Sequence, residues 1–187
     1  MLKTHKSKLL ATAAVIAGLA GVTVANADTY NFGSTPTAEE IAAVDIDVMP
    51  DGRGLPAGSG TATVGETVYK ETCTACHGPD LQGVKGTGGA ALTGGRGSIG
   101  TEKTKKTVES YWPYASTVFD YVKRAMPFNA PGSLTDDQIY AVTAYILHKG
   151  NIIGKDDVLD ASTLAKVEMP NKDGFISDSR PDVFNYK

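Results

Sequence analysis

Cysteine is nearly absent from this 187-residue chain: there are two, three positions apart. A framework of several disulfides and a zinc site built from four cysteines are therefore both excluded. Basic charge is not in excess, 18 Lys and Arg standing against 21 Asp and Glu, so the electrostatic footprint of a nucleic-acid binder is missing. Tryptophan occurs once and aromatics make up 7% of the chain. The 41% hydrophobic content supports a packed core, but one poor in aromatic rings. Glycine is plentiful, with 21 residues, yet neither G-x-G-x-x-G after a strand nor G-K-[ST] occurs, so these glycines are not a phosphate cradle. Beyond the first 27 residues no apolar run approaches the roughly 20 needed to span a bilayer.

The chain opens on an address. Lys3, Lys6 and Lys8 precede an apolar run from Leu9 to Ala25, and Ala25-Asn26-Ala27 has the small-x-small form of a cleavage site. Residues 1–27 thus read as a secretory signal peptide; the alternative, an uncleaved anchor, would need a longer run less rich in Ala and Gly. Cleavage removes three Lys and no acid, leaving 15 basic residues against 21 acidic, a net charge of −6. The expected compartment is the periplasm or its topological equivalent.

Residues 28–60 are rich in Pro, Gly and Asp and read as an extended arm over a core. Within it, Thr37-Ala38-Glu39-Glu40-Ile41 opens one short helical turn, and Pro50-Asp51-Gly52 and Gly58-Ser59-Gly60 are turn chemistry. The first clear helix is expected near Thr63, where Thr63-Val64-Gly65-Glu66 fits a capping box. Val64, Val68 and Thr72, with Gly65 and Tyr69 beside them, mark its face. Residues 78–115 read as a glycine-dense loop that brings backbone close to something flat. A second helix is expected over 116–125, with Val118, Phe119, Val122 and Ala125 inward and Pro127 as its stop. A third begins at Thr135-Asp136-Asp137-Gln138, a second capping box with acids where the helix dipole favours them. It buries Ile139, Val142, Tyr145 and Ile146 and ends at Lys149-Gly150. Residues 151–187 read as a tail packed on the surface. No internal repeat and no strand pattern is expected.

One motif carries the chemistry. Cys73-Thr74-Ala75-Cys76-His77 is C-x-x-C-H, the attachment motif for c-type haem. Two thiols at this spacing add to the two porphyrin vinyl groups, and the adjacent histidine reaches the iron. A redox disulfide would need a βαβ setting, which the chain lacks. One motif means one haem. For the sixth ligand the candidates are Met126, Met169, Met49 and His148. Met126 is assigned because it lies between the second and third helices, a wrapping length downstream of the motif, and is followed by Pro127. Met169 lies beyond the last helix, Met49 precedes the motif, and His148 is explained as a cationic cap at a helix C-terminus. Trp112 is a candidate for bonding a haem propionate through its indole N–H, or else an aromatic clamp on a loop. Arg96 is a second propionate candidate, against a solvated loop residue. Lys103, Lys105 and Lys106 form a basic run best read as a solvated loop.

A helix ending in Cys73-Thr74-Ala75-Cys76-His77-Gly78, a glycine-rich loop, Met126-Pro127 and a final helix with Ala144-Tyr145-Ile146 resemble the class I cytochrome c fold over residues 61–150. The resemblance implies an all-α domain of three to four helices around one covalent haem, here with the arm ahead of it and the tail behind. It also implies that the first and last helices cross closely, with Gly65 and Tyr69 against Tyr145. A narrower resemblance rests on Thr37–Ala43, Asp45-Ile46-Asp47, Pro50-Asp51-Gly52, Gly54-Leu55-Pro56, Tyr111-Trp112-Pro113-Tyr114-Ala115, Arg124-Ala125-Met126-Pro127-Phe128 and Asn171-Lys172-Asp173-Gly174-Phe175. These segments resemble the cytochrome subunits of the Sox sulfur (sulfane) dehydrogenase and of sulfite dehydrogenases, though the former often carry two haems. That resemblance implies a single-electron carrier without bond-breaking catalysis. Its donor would be a molybdenum sulfite or sulfane dehydrogenase and its acceptor a downstream cytochrome, a terminal oxidase or a photosynthetic chain. The rival classes are a haem enzyme with an open or unusual sixth position, thiosulfate-oxidising or peroxidase-like, and a haem-based sensor, for which no output domain is evident.

Overall fold

The computed structural model describes residues 33–176; the expected signal peptide, the start of the arm and the end of the tail lie outside them. The chain divides after Ile41 into two units. The boundary falls inside helix α1 (Ala38–Val44), which Thr37 caps: its Oγ1 accepts from the Glu40 N–H at 3.2 Å, and the Glu40 carboxylate accepts from the Thr37 N–H at 2.8 Å. The expected single turn is thus a seven-residue helix that buries none of its side chains.

In the second unit the elements run β1 (Ser59–Thr61), α2 (Ala62–Thr72), α3 (Thr74–His77), α4 (Ala115–Ala125), α5 (Asp136–Lys149), β2 (Val158–Asp160) and a 3-10 turn at Leu164–Lys166. Helix α5 starts at the expected capping box. Thr135 Oγ1 accepts from the Gln138 N–H and Gln138 Oε1 from the Thr135 N–H. Its burial exceeds the one-sided stripe predicted: Ile139 through Leu147 are all buried, because α2 and β1, α4, and β2 all pack on it. Helix α4 buries Val118, Phe119 and Val122 as expected, leaves Ala125 only half-buried, and also buries Ala115, Ser116 and Asp120.

Helix α2 differs from expectation at its start. The cap is Thr61, whose side chain accepts from the Val64 N–H, two residues before the predicted Thr63 box. The reason is long-range. β1 pairs antiparallel with β2, Gly60 opposite Leu159, which holds Thr61 extended and makes it the last residue before the helix. Glu66, the predicted box partner, instead pairs with Lys70 at 2.8 Å, and Val64, assigned to the inner face, is 56% exposed. The two short strands are an addition to the all-α reading.

Helices α2 and α5 cross at Gly65. A Cβ built there would lie 1.8 Å from the Ala141 carbonyl oxygen and 2.8 Å from Tyr145 Cβ, so only glycine permits the approach. Tyr69 and Tyr145 meet at the same crossing, ring centroids 5.2 Å apart.

Residues 48–59 lie along the core as a strap, held by side chains that bind its main chain. The Val48 N–H donates to Asp120 Oδ1 at 2.8 Å, Ser116 Oγ donates to the Pro50 carbonyl at 2.8 Å, Tyr140 Oη donates to the Pro56 carbonyl at 2.9 Å, and the Ser59 N–H donates to Asp137 Oδ1 at 2.7 Å. A strap without regular structure must find partners for its peptide groups; these four bonds add to its own turns, in which the Met49 N–H donates to the Arg53 carbonyl at 2.8 Å and the Gly52 N–H to the Met49 carbonyl at 2.9 Å. In the described part of the tail Leu159, Leu164 and Met169 are buried, and Asn171 Nδ2 donates to the Tyr111 carbonyl at 2.7 Å.

Gly65→Val is expected to lower the unfolding free energy by about 3 kcal/mol, since the clash is with main chain that cannot step aside. Val64→Ala, one residue away but exposed, should stay within about 0.5 kcal/mol of the parent. Paired urea titrations would compare them, and equal midpoints would contradict the close crossing.

Candidate haem site

The site is built where α2 breaks. Cys73 ends the helix with its N–H on the Tyr69 carbonyl, and Thr74 Oγ1 reaches the same carbonyl at 3.2 Å. The chain then makes one further turn, α3, in which the Cys76 and His77 N–H groups both return to the Cys73 carbonyl. Cys73, Cys76 and His77 stand at i, i+3 and i+4 of that turn, the spacing that brings side chains to one helix face. Both cysteines are free; Cys73 is half-buried and Cys76 exposed. Burial pushes the Cys73 thiol up from its ordinary value, against a smaller opposing effect from the Thr72 hydroxyl beside it.

His77 Nδ1 lies 2.7 Å from the Ala90 carbonyl oxygen. A carbonyl only accepts, so Nδ1 carries the proton and Nε2 keeps its lone pair for a metal. The His77 carbonyl accepts from the Gly83 N–H at 2.7 Å, and the Cys76 carbonyl from the Val84 N–H at 3.0 Å. The glycine-rich loop therefore wraps the motif. At Gly89 a Cβ would fall 2.0 Å from the Cys76 carbonyl oxygen. The close approach expected of this loop is thus, at Gly89, to the motif's own backbone.

Among the apolar side chains that pack on the core but stay only half covered by protein are Cys73, Leu92, Trp112, Met126 and Leu134. Met126 caps the C-terminus of α4, its N–H on the Val122 carbonyl and its backbone already extended, with a cis bond to Pro127. Of the other candidate ligands, Met169 on the tail is buried in the core, 4% exposed, and Met49 is 41% exposed on the strap. His148 Nδ1 lies 3.3 Å from the Ile153 carbonyl.

Trp112 stands edge-on to Tyr121, centroids 5.6 Å apart, the arrangement of an aromatic clamp. Arg96 is engaged by protein: Nε donates to Glu109 at 3.2 Å and a terminal nitrogen to the Gly150 carbonyl at 2.5 Å. Glu109 in turn accepts from the Gly94 N–H at 2.6 Å, so the pair pins the loop to the end of α5. The basic run is likewise partly engaged, Lys105 on the Thr93 carbonyl and Lys106 over the Tyr111 ring at 4.9 Å. Sequence reasoning missed two polar groups, Asp120 under the strap and the buried hydroxyl of Tyr69. The only trace of the first was an acid among the inward residues of α4, four after Ser116.

The cytochrome c family model matches residues 62–149. A chain of the crystal structure of the sulfane dehydrogenase SoxCD from Paracoccus pantotrophus is similar at 39% identity, over 82% of this chain and 74% of that one, with a TM-score of 0.75. The chain belongs to the cytochrome c family. It is also similar, at 28% identity over 113 residues, to a thiosulfate dehydrogenase from Stutzerimonas stutzeri (strain A1501); the match takes in 59% of this chain and spans a third of that relative's length, 33%.

The cofactor of the family is covalent haem c, and this cytochrome c has what it requires. Two free thiols and a correctly protonated imidazole share one face, a thioether caps the next helix, and several apolar side chains packed on the core are left half covered. Among the described residues no group of three or more His, Cys, Asp or Glu is arranged to hold a different metal ion. No helix among them is long and apolar enough to cross a membrane.

The two candidate methionines are separable by experiment. Met126→Ala is expected to abolish the sulfur-to-iron charge-transfer band, lower the reduction potential and let carbon monoxide bind. Met169→Ala is expected to cost about 2–5 kcal/mol of stability, as a buried truncation does, and to leave the band in place. Spectra of the two variants would decide, and the reverse outcome would move the sixth ligand to the tail.

Proposed function

We propose that this cytochrome c is a periplasmic single-electron carrier for sulfur-compound oxidation. In this proposal Cys73 and Cys76 hold one haem through thioethers, His77 is the proximal ligand and Met126 the distal one. Bound there, haem c supplies a one-electron iron couple, and a methionine ligand raises its potential, which suits acceptance from a dehydrogenase and delivery to a downstream cytochrome or oxidase. Cys73 and Cys76 orient the group, the Ala90 carbonyl holds the His77 proton at Nδ1, and two protein ligands leave no position for substrate.

The observation that carries the sulfur assignment is the reach of the likeness to the SoxCD chain. At 82% of this chain it extends well past residues 62–149 and takes in strap or tail, which a generic carrier of this fold does not need. The proposed donor is accordingly a molybdenum sulfite or sulfane dehydrogenase. The surface it meets surrounds Cys73 and Cys76, the second of which is exposed. After loss of residues 1–27 the chain carries −6, so the donor would present basic groups, and screening over about 8 Å at physiological salt would weaken that steering. The likeness to a thiosulfate dehydrogenase supports a second reading, in which the haem-bearing chain itself oxidises thiosulfate.

Covalent attachment is tested first: acid-acetone should leave the haem on the chain, and a chain stripped of it has no thioether at Cys73 or Cys76. Stopped-flow mixing then separates the two functions. The carrier reading expects rapid reduction by the reduced molybdenum dehydrogenase, slower as salt is added, and none by thiosulfate alone. Reduction by thiosulfate without a partner would favour the enzyme; no reduction by the dehydrogenase within its turnover time would leave only a general electron carrier.

A further inference from the structure

Tyr69 touches both ends of the C-x-x-C-H turn. Its main-chain carbonyl accepts from the Cys73 N–H at 2.9 Å and from Thr74 Oγ1 at 3.2 Å, where the turn begins. Its phenol donates to the Gly78 carbonyl at 2.7 Å, where the turn ends. The side chain is fully buried, at 0% exposure, with its ring against Tyr145 at the α2–α5 crossing. The hydroxyl is therefore not a surface group that water would serve equally well.

Gly78 follows His77 directly, caps α3 and turns the chain with φ 78°. Its carbonyl has one other main-chain partner, the Leu81 N–H at a longer 3.3 Å. Both peptide groups after His77 are thus tied down: the His77 carbonyl by Gly83 and the Gly78 carbonyl by Tyr69. The imidazole is oriented by Ala90 at one end, and the backbone that carries it is held at the other. A phenylalanine at 69 would pack the same ring against Tyr145 and leave the Gly78 carbonyl without this bond.

We infer that the Tyr69 hydroxyl is a positioning group for the proximal histidine, clamping the C-x-x-C-H turn to the α2–α5 crossing so that the angle of the His77 ring on the iron is set by the helix packing. This rests on His77 being the iron ligand. Burial raises the Tyr69 phenol well above its ordinary value, which keeps it protonated and a donor throughout the working range.

The test uses the haem-loaded protein and two variants. Tyr69→Phe removes this hydroxyl alone. Tyr140→Phe is the control, since Tyr140 is also fully buried and also donates to a main-chain carbonyl, that of Pro56 on the strap. Both variants are expected to lose stability. Only Tyr69→Phe is expected to move the hyperfine-shifted proton resonances of the His77 ring and to shift the midpoint potential. Placing 4-aminophenylalanine at position 69 restores a ring donor and should return both signals toward the parent. Unmoved His77 resonances in Tyr69→Phe would reduce the hydroxyl to a structural bond and overturn the inference. Equal movement in Tyr140→Phe, or no return with the amino variant, would overturn it too. If the parent itself shows no imidazole-ligand resonances, the ligand assignment has failed rather than the clamp alone.

Discussion

The main-chain contact between α2 and α5 at Gly65 and Ala141 is the constraint on which the rest of this molecule depends. With the two backbones this close, Tyr69 and Tyr145 are forced into ring contact and Gly60 is drawn against Ala141, where a Cβ would lie 2.2 Å from its nitrogen. That in turn fixes where α2 begins, because β1 must run past α5 before the helix starts. It also fixes where α2 ends, since Tyr69 carries the bonds that shape the C-x-x-C-H turn. A chain of this size with two cysteines and few aromatics has little else to build from, and a covalent cofactor packed against half-covered apolar side chains adds core that the sequence does not supply.

The strap and the tail answer a different need. The strap is held largely by side chains from α4 and α5, whereas the tail is held by the pairing of β2 with β1 and by Asn171 on the Tyr111 carbonyl. Ser116 and Asp120 stand one turn apart on α4 and bind the strap at Pro50 and Val48; Arg124, one turn further, pairs with Asp120. This stripe of polar groups runs along α4 toward its Met126 end. Burial of Asp120 costs little because its carboxylate accepts from both a peptide N–H and a guanidinium.

Legibility in the sequence followed range. The α5 capping box, the stop at Pro127 and the C-x-x-C-H spacing are local, and all could be read from neighbouring residues. The cap of α2 was placed two residues late because Thr61 owes its extended backbone to β2, a segment nearly a hundred positions away whose three residues show no period. Val64 was put inside for the same reason that Gly65 was: both fit one face at helical spacing, and only the crossing distance separates them. Arg96 was offered a propionate or solvent, whereas the structure gives it Glu109 and the carbonyl at the end of α5, where the helix dipole attracts a cation. The Tyr69 hydroxyl was invisible because a phenylalanine satisfies the same pattern.

The two candidate iron ligands are held by different means, and the difference bears on electron transfer. His77 is held within one turn by short bonds to Ala90, Gly83 and, through Gly78, Tyr69. Met126 caps the C-terminus of α4, so its place depends on how that whole helix is seated, by its apolar face on α5 and by its polar stripe on the strap. An electron carrier works best when neither ligand moves as the iron changes charge, which asks for groups locked by their surroundings. On the histidine side that rigidity comes from residues 69–90, which flank the motif in sequence. On the methionine side it is imported from residues 48–59, which lie outside the segment the cytochrome c family model matches. A strap of this kind gives a reason for sequence ahead of the haem domain even where it touches neither the haem nor a partner: it seats the helix that ends at the proposed distal ligand.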